Sequence, residues 1–372
     1  MMTLRTAVVG GGTVSGVHLD GLQQNPRTTL VAICDTDEPV AREIADEYGI
    51  TAFFDVETML AEADLDWVHI CTPVQTHLPL AKLAIDAGVP VQIEKPITET
   101  YAEFEELAAY AADAGVTVSE KHNHNFDPAV RSAMAKRRRG ELGDIRGVDV
   151  IYTGSSRPDD PNRGPWNFEL AGGEFEEGIP HPVYLTLRVG GYPRSEEAVT
   201  ASTALFGEYE DTFDYDGAQL QYVTDDEVLC TTKVLGGTRP VRRILIHAEK
   251  CSLTVDLLSQ TVVEHDRNYK ASGAARALNN LDEAGDRLAG TVANARAVAR
   301  RARADDDWDT LRLLNAHFYQ NDAESKALLA GDPGAMPVPL SESRWTSYLM
   351  EAVREAAANP PGHPVEQPID SE

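Results

Sequence analysis

The chain has 372 residues, 42% of them hydrophobic and 25% charged, which is length for two domains and apolar content for a real core. Its 60 acidic residues against 33 basic ones give a formal net charge of −27, so its surface repels nucleic acid and anionic membranes. No apolar run approaches the roughly 20 residues that span a bilayer, the N-terminus reads directly into a strand and not as a signal peptide, and Cys34, Cys71, Cys230 and Cys251 form no C-x-x-C pair, the pattern of buried free thiols in a reducing cytoplasm.

Over the first 120 residues, TAVVG, LVAICD, DWVHICT, VPVQIEK and VTVSEK predict strands. GVHLDGLQQ, EPVAREIADEYG, THLPLAKLAIDAG and YAEFEELAAYAADAG between them predict helices, several closed by Gly. This alternation predicts an α/β doubly wound parallel sheet over residues 1–124. Residues 125–340 read differently. A helix (DPAVRSAMAKRRRG), a strand (IRGVDVIYT) and a polar loop from Ser155 to Pro165 lead to a short helix beginning near Pro180. EAVTASTALFG, TFDYDGAQLQYVT, EVLCTTKVLG, RRILIHAEK and SLTVDLL follow as successive strands, which predicts an antiparallel sheet. Residues 273–330 return to helix, with AGDRLAGTVANARAVARRARA basic and amphipathic. Residues 341–372 are expected to form a last helix, packed back on the first domain, and a frayed Pro-rich tail. The acidic surplus is spread along the chain and reads as a solvated shell suited to high salt.

The chemistry-bearing motifs begin directly after the first strand. Gly10-Gly11-Gly12-Thr13-Val14-Ser15 matches the first two glycines of G-x-G-x-x-G, with Ser15 in place of the third. Gly10 permits a tight turn, and Gly12 lets the backbone approach a pyrophosphate seated on the next helix N-terminus. Asp35 ends the second strand, where a carboxylate receives a ribose 2′-hydroxyl and repels a 2′-phosphate; NAD is favoured over NADP. Thr72, Pro73 and His77 lie at the end of another apolar strand, where open parallel sheets bind ligands. Glu94-Lys95-Pro96 places a Lys at a further strand end, able to hydrogen-bond a substrate oxygen and ease its deprotonation. In GGEFEEGIPH, Glu177 and His181 are four apart, a carboxylate and an imidazole suited to acid–base work. His122 and His124 read as polar lining near a cofactor; with His181 they make no convincing metal set, and no metal is expected.

In this order, VVGGGTVSGVH, VAICDTD, CTPVQTH, AGVPVQIEKP, NFDP and AGGEFEEGIPH resemble the glucose–fructose oxidoreductase / inositol dehydrogenase / MocA family, from the N-terminus to about residue 190. The resemblance implies an N-terminal Rossmann domain and a C-terminal α/β domain with a large, mainly antiparallel open sheet that often forms an oligomer interface, hence a homodimer or homotetramer. It implies a cis bond before Pro96, Lys95 as a substrate-contacting catalytic lysine and His181 as general acid/base, with Glu177 where many members have Asp. Asn123, Arg163, Trp166 and Tyr184 join Lys95 and His181 as expected substrate contacts, and Glu94 and Lys95 join the cofactor site. Tyr184 stands where Asp is frequent, and Ile179-Pro180 replaces the usual Gly-x. The expected activity is hydride transfer between nicotinamide and a hydroxyl carbon of a sugar, cyclitol or sugar derivative, with Glu177 orienting His181. Two other readings share the fold: a non-catalytic NAD-binding sensor, which would not need Lys95 and His181, and a sugar-nucleotide dehydrogenase.

Overall fold

The computed structural model describes residues 3–162, 164–210, 212–265, 273–303 and 307–359. Its first unit runs β1 (Leu4–Val9), α1 (Ser15–Gln24), β2 (Thr28–Cys34), α2 (Glu38–Tyr48), β3 (Thr51–Phe53), α3 (Val56–Glu62), β4 (Trp67–Ile70), α4 (His77–Asp86), β5 (Val91–Ile93), α5 (Tyr101–Ala114) and β6 (Val118–Glu120). The strands are all parallel, in the order β3-β2-β1-β4-β5-β6. One face buries Ala7, Val9, Val68, Ile70 and Ile93, the other Val8 and Ile33. Covering both faces is why these strands read as unbroken apolar runs. Helix ends follow local chemistry. Asp37 accepts a hydrogen bond from Val40 N to start α2, and Thr100 with Glu103 forms a capping box on α5, each worth about 1 kcal/mol. The strand order reverses at β1 and β4, and a crevice opens at their C-terminal ends. β3 and α3 escaped the sequence reading because three and seven residues are too few for periodicity to register.

The chain then enters α6 (Pro128–Arg138) and β7 (Ile145–Thr153), followed by α7 (Gly173–Glu177) and α8 (Pro180–Gly190). β8 (Thr200–Ala204), β9 (Gly217–Val223), β10 (Leu229–Leu235), β11 (Val241–Ala248), β12 (Ser252–Asp256) and β13 (Thr261–His265) complete a second sheet, ordered β13-β12-β11-β7-β10-β9-β8. It is mainly antiparallel, as predicted, with one parallel pair between β7 and β10. β7 causes the exception, because it comes before α7 and α8 in the chain yet inserts at the sheet centre. Alternate residues Val148, Val150, Ile244 and Ile246 are buried in one cluster with Val183 and Leu187 of α8. The other face leaves Leu229, Lys233 and His247 exposed, the half-solvated pattern of such sheets.

Four helices close the chain: α9 (Gly273–Arg301), α10 (Trp308–Leu314), α11 (Ala316–Ala330) and α12 (Leu340–Ala358). α11 returns to the first unit and packs on α1, where Asp322 accepts from Trp308 Nε1 at 2.9 Å and from Arg27 at 2.7 Å. α12 touches α5 and β6 on one side and α8 and β8 on the other. It is a tie between the units, and its Arg354 joins Glu176 to the carbonyl of Glu99. The tail beyond residue 359 lies outside the described residues.

His122 makes the tie pH-sensitive. Its Nδ1 stands 2.7 Å from Glu342 of α12 and its Nε2 2.9 Å from Glu120 of β6. Burial alone lowers its pKa, but the two carboxylates outweigh that and raise it to about 9. A folded value above the ordinary ~6.5 contributes stability that is complete below pH ~6.5 and lost as pH rises through about 9. The denaturant midpoint is therefore expected to fall between pH ~6.5 and about 9, and to fall less in Glu342→Gln. An identical slope in that variant would refute the assignment.

Candidate functional site

The crevice at the β1/β4 switch is a cavity of about 690 Å³. Gly10, Gly12, Thr13 and Val14 form one wall, Asp35 one end, Thr72, Pro73 and His77 the opposite wall, and Glu94, Lys95, Trp166 and Glu177 the other end. Gly10 has φ +96°, and a Cβ there would lie 2.8 Å from the Cys71 carbonyl oxygen, so the turn requires glycine for the chain's own packing. Gly12 is different: a Cβ there would meet nothing within 4 Å. The protein itself does not need that glycine, whereas a group lying against the loop would. The Asp35 carboxylate accepts from Gly11 N at 2.6 Å and from Asp37 N at 2.8 Å. It is thereby fixed beside the loop where a ribose diol would donate to it. These features fit NAD: loop for pyrophosphate, carboxylate for ribose, and a far end large enough for the nicotinamide.

Ser15 is placed otherwise than a cofactor contact would be. It is buried, does not line the cavity, and donates its hydroxyl back to Gly12 O at 2.7 Å. His77 lines the wall while its ring nitrogens stand 2.9 Å from the carbonyls of Thr72 and Pro96, so it clamps two strand-end loops together. The Lys95–Pro96 bond is cis, as the resemblance implies. Glu94 turns its carboxylate inward to His18 Nε2 at 2.7 Å and to Lys95 N at 3.1 Å. His18 in turn meets His69 at 2.8 Å. Although Glu94 is buried, which by itself raises its pKa, the bond from His18 holds it well below the usual carboxylate range.

His18, Glu94 and His317 bring donor atoms within 4.8 Å of one another. The buried Lys121 ammonium acts on all three and is itself lowered to about 8 by burial. A second cation would have to enter beside that charge and displace the His18–Glu94 bond. The cluster reads as a hydrogen-bonded support under Lys95.

Lys95 extends from its strand end into a buried ion pair with Glu177, and also donates to the Glu177 carbonyl at 3.0 Å. The Lys95 and Glu177 side chains are 4% and 5% exposed. Glu177 ends α7 and His181 opens α8, because Pro180 starts a new helix and splits the segment. Glu177 and His181 therefore belong to adjacent helices and not to one continuous helical face. The Glu177 carboxylate pairs with Lys95, and His181 Nδ1 stands 2.7 Å from Tyr184 Oη. Tyr184 donates to Asn123 Oδ1 at 3.1 Å and accepts from His124 N at 3.1 Å. Since the Tyr184 proton goes to Asn123, His181 Nδ1 is the donor in the remaining bond, and Nε2 carries the lone pair. Tyr184 is fully buried and stacks on His122 with ring centroids 4.2 Å apart, so it sits behind His181 and does not reach substrate as expected. Asn123 is likewise a partner of Tyr184. Arg163 lies outside the described residues.

Three further groups surround His181: His124, expected only as polar lining, and Tyr152 and Arg242, which the sequence did not single out. His124, paired with Asp127 at 2.8 Å, lies edge-on to it at 4.7 Å. Tyr152 of β7 stands 6.4 Å away, and Arg242 of β11 lies over the Tyr152 ring at 4.3 Å. The signal for Arg242 was present: in RRILIHA it shares the apolar face of Ile244 and Ile246, where a cation is out of place.

Residues 4–122 match the family model for the oxidoreductase family with an NAD-binding Rossmann fold. Among curated relatives, 4-carboxy-2-hydroxymuconate-6-semialdehyde dehydrogenase of Sphingobium sp. (strain NBRC 103272 / SYK-6) is 32% identical over 40% of this chain and 47% of its own length. The chain thus spans about half of that relative. Inositol 2-dehydrogenase of Rhizobium meliloti (strain 1021) is 26% identical over 68% of this chain and 76% of its own. Among solved structures, the WlbA dehydrogenase of Bordetella pertussis in complex with NADH and UDP-GlcNAcA has a TM-score of 0.73 at 19% identity, covering 96% of this chain and 97% of that one. No described helix is long and apolar enough to cross a membrane. The two-sheet architecture, the Gly10–Val14 loop, Asp35 and the cis Lys95–Pro96 strand end accompany the family match, and over residues 4–122 the chain is similar to the NAD-binding domain of the Gfo/Idh/MocA oxidoreductases.

Proposed function

We propose that the protein is an NAD-dependent dehydrogenase that oxidises a CH–OH carbon of a small sugar, cyclitol or sugar derivative. The observation that carries the reading is the buried Lys95–Glu177 pair at one end of a cavity whose other end is Asp35 and the Gly10–Val14 loop. Bound NAD supplies the hydride acceptor. Lys95 holds the substrate hydroxyl, and its charge favours the alkoxide that develops there. Glu177 keeps the ammonium aimed and shields it from water. His181 takes the hydroxyl proton at Nε2, because Tyr184 keeps the ring's own proton on Nδ1. Glu94, on its His18 support, fixes the strand end that presents Lys95.

The similarity to inositol 2-dehydrogenase of Rhizobium meliloti supports a polyol substrate. A net charge of −27 disfavours a nucleic-acid partner, and the outer face of the second sheet is the surface through which the chain would self-associate as a dimer or tetramer. The test is NADH formation from NAD with a panel of sugars, cyclitols and sugar acids in high salt. Turnover on at least one member is expected. NAD binding without turnover on any member would move the protein to the sensor reading.

A further inference from the structure

We infer that the substrate carries a carboxylate and that Arg242 receives it, an inference that rests on the dehydrogenase reading above and narrows its substrate class. Arg242 and Arg243 are neighbours on β11 and point to opposite faces of the sheet. Arg243 has its counter-charge, Asp256, at 3.1 Å. Arg242, on the face that α8 covers, has no ion pair among the described residues; its guanidinium lies over the Tyr152 ring at 4.3 Å. Its Nε is shut off from solvent and has no hydrogen-bond partner.

In a chain with 60 acidic residues, a guanidinium left without a carboxylate is conspicuous. A shielded N–H donor with no acceptor is a standing cost that an incoming anion removes. The position is the right one. Tyr152 is the β-partner of Arg242 and also neighbours His181, with ring centroids 6.4 Å apart. The cation therefore stands one aromatic ring away from the acid–base imidazole, a separation that a hydroxy acid of sugar size bridges. The planar fork of Arg matches a carboxylate in two hydrogen bonds. The substrate class is a sugar acid, with one hydroxyl at Lys95 and His181 and the carboxylate at Arg242.

The test compares D-glucuronate and D-gluconate with D-glucose and myo-inositol, using the full chain, NAD and fixed ionic strength. The acids are expected to have the higher kcat/KM. Arg242→Gln should raise KM for the acids roughly 10- to 100-fold, and Arg242→Lys, which keeps the charge but not the fork, should recover part of the loss. Unchanged NAD affinity establishes that the variants are folded. Neutral polyols oxidised as well as the acids, with Arg242→Gln changing neither, would overturn the inference while leaving the dehydrogenase reading intact. No NADH from any of the four would overturn both.

Discussion

His181→Ala is expected to lose turnover by roughly 10²- to 10⁴-fold while NAD affinity stays unchanged. The separation of effects follows from geometry. The groups that fit NAD, Gly10 to Val14 and Asp35, belong to the first sheet, whereas His181 opens α8 over the second. Removing the imidazole leaves the cofactor cradle intact and takes away the proton acceptor. Tyr184→Phe is the companion variant. It keeps the ring stacked on His122 but deletes the Oη that fixes the proton on Nδ1. A smaller fall in kcat is expected, with KM for NAD unchanged and the basic form of His181 less effective across the pH–rate profile. Full turnover in His181→Ala, measured with saturating NAD, would remove His181 from the mechanism.

Lys95→Met is expected to damage stability and turnover together. Lys95 and Glu177 are both buried, so deleting the ammonium removes one side of an interior ion pair. Breaking a buried pair from one side costs about 3–5 kcal/mol, readable as a lower denaturant midpoint without NAD. Lys95→Met/Glu177→Gln separates the roles. Neutralising the Glu177 carboxylate as well should restore part of the stability, and turnover should stay lost because the charge that holds the substrate hydroxyl is gone. A single variant as stable as the natural chain would show that Glu177 has another counter-charge. A double variant with normal turnover would show that Lys95 is structural only.

The first sheet was legible because each of its main strands is buried on both faces, so TAVVG, LVAICD and DWVHICT announce themselves as apolar runs. The cofactor end of the site was legible for a related reason. Gly10 and Asp35 act through local backbone geometry, a turn and a strand end, which sequence records directly. The substrate end was less so. Glu177 and His181 share a four-residue spacing, but Pro180 breaks the helix between them, and the carboxylate goes to Lys95, 82 positions earlier in the chain. The true support of His181, Tyr184 through Asn123, looked like substrate contacts because spacing cannot tell which side of an imidazole a neighbour occupies. Ser15 replaced a motif glycine and was read with the loop, while its hydroxyl in fact closes the turn. β13 was lost because TVVEH is short and its buried positions, Thr261 and Val263, give no clean apolar–polar alternation. β7 seats itself at the centre of the second sheet through contacts that no local pattern encodes.

The most direct test of the account is the fate of the carbinol hydrogen. The protein is incubated with NAD and a turned-over panel member carrying deuterium on the carbon to be oxidised, and the nicotinamide product is weighed by mass spectrometry. The account predicts NADH carrying one deuterium from the substrate, with the label's appearance abolished in His181→Ala and in Lys95→Met/Glu177→Gln. NADH formed without the label, or labelled NADH formed at the natural rate by both variants, would contradict the placement of the chemistry at Lys95, Glu177 and His181.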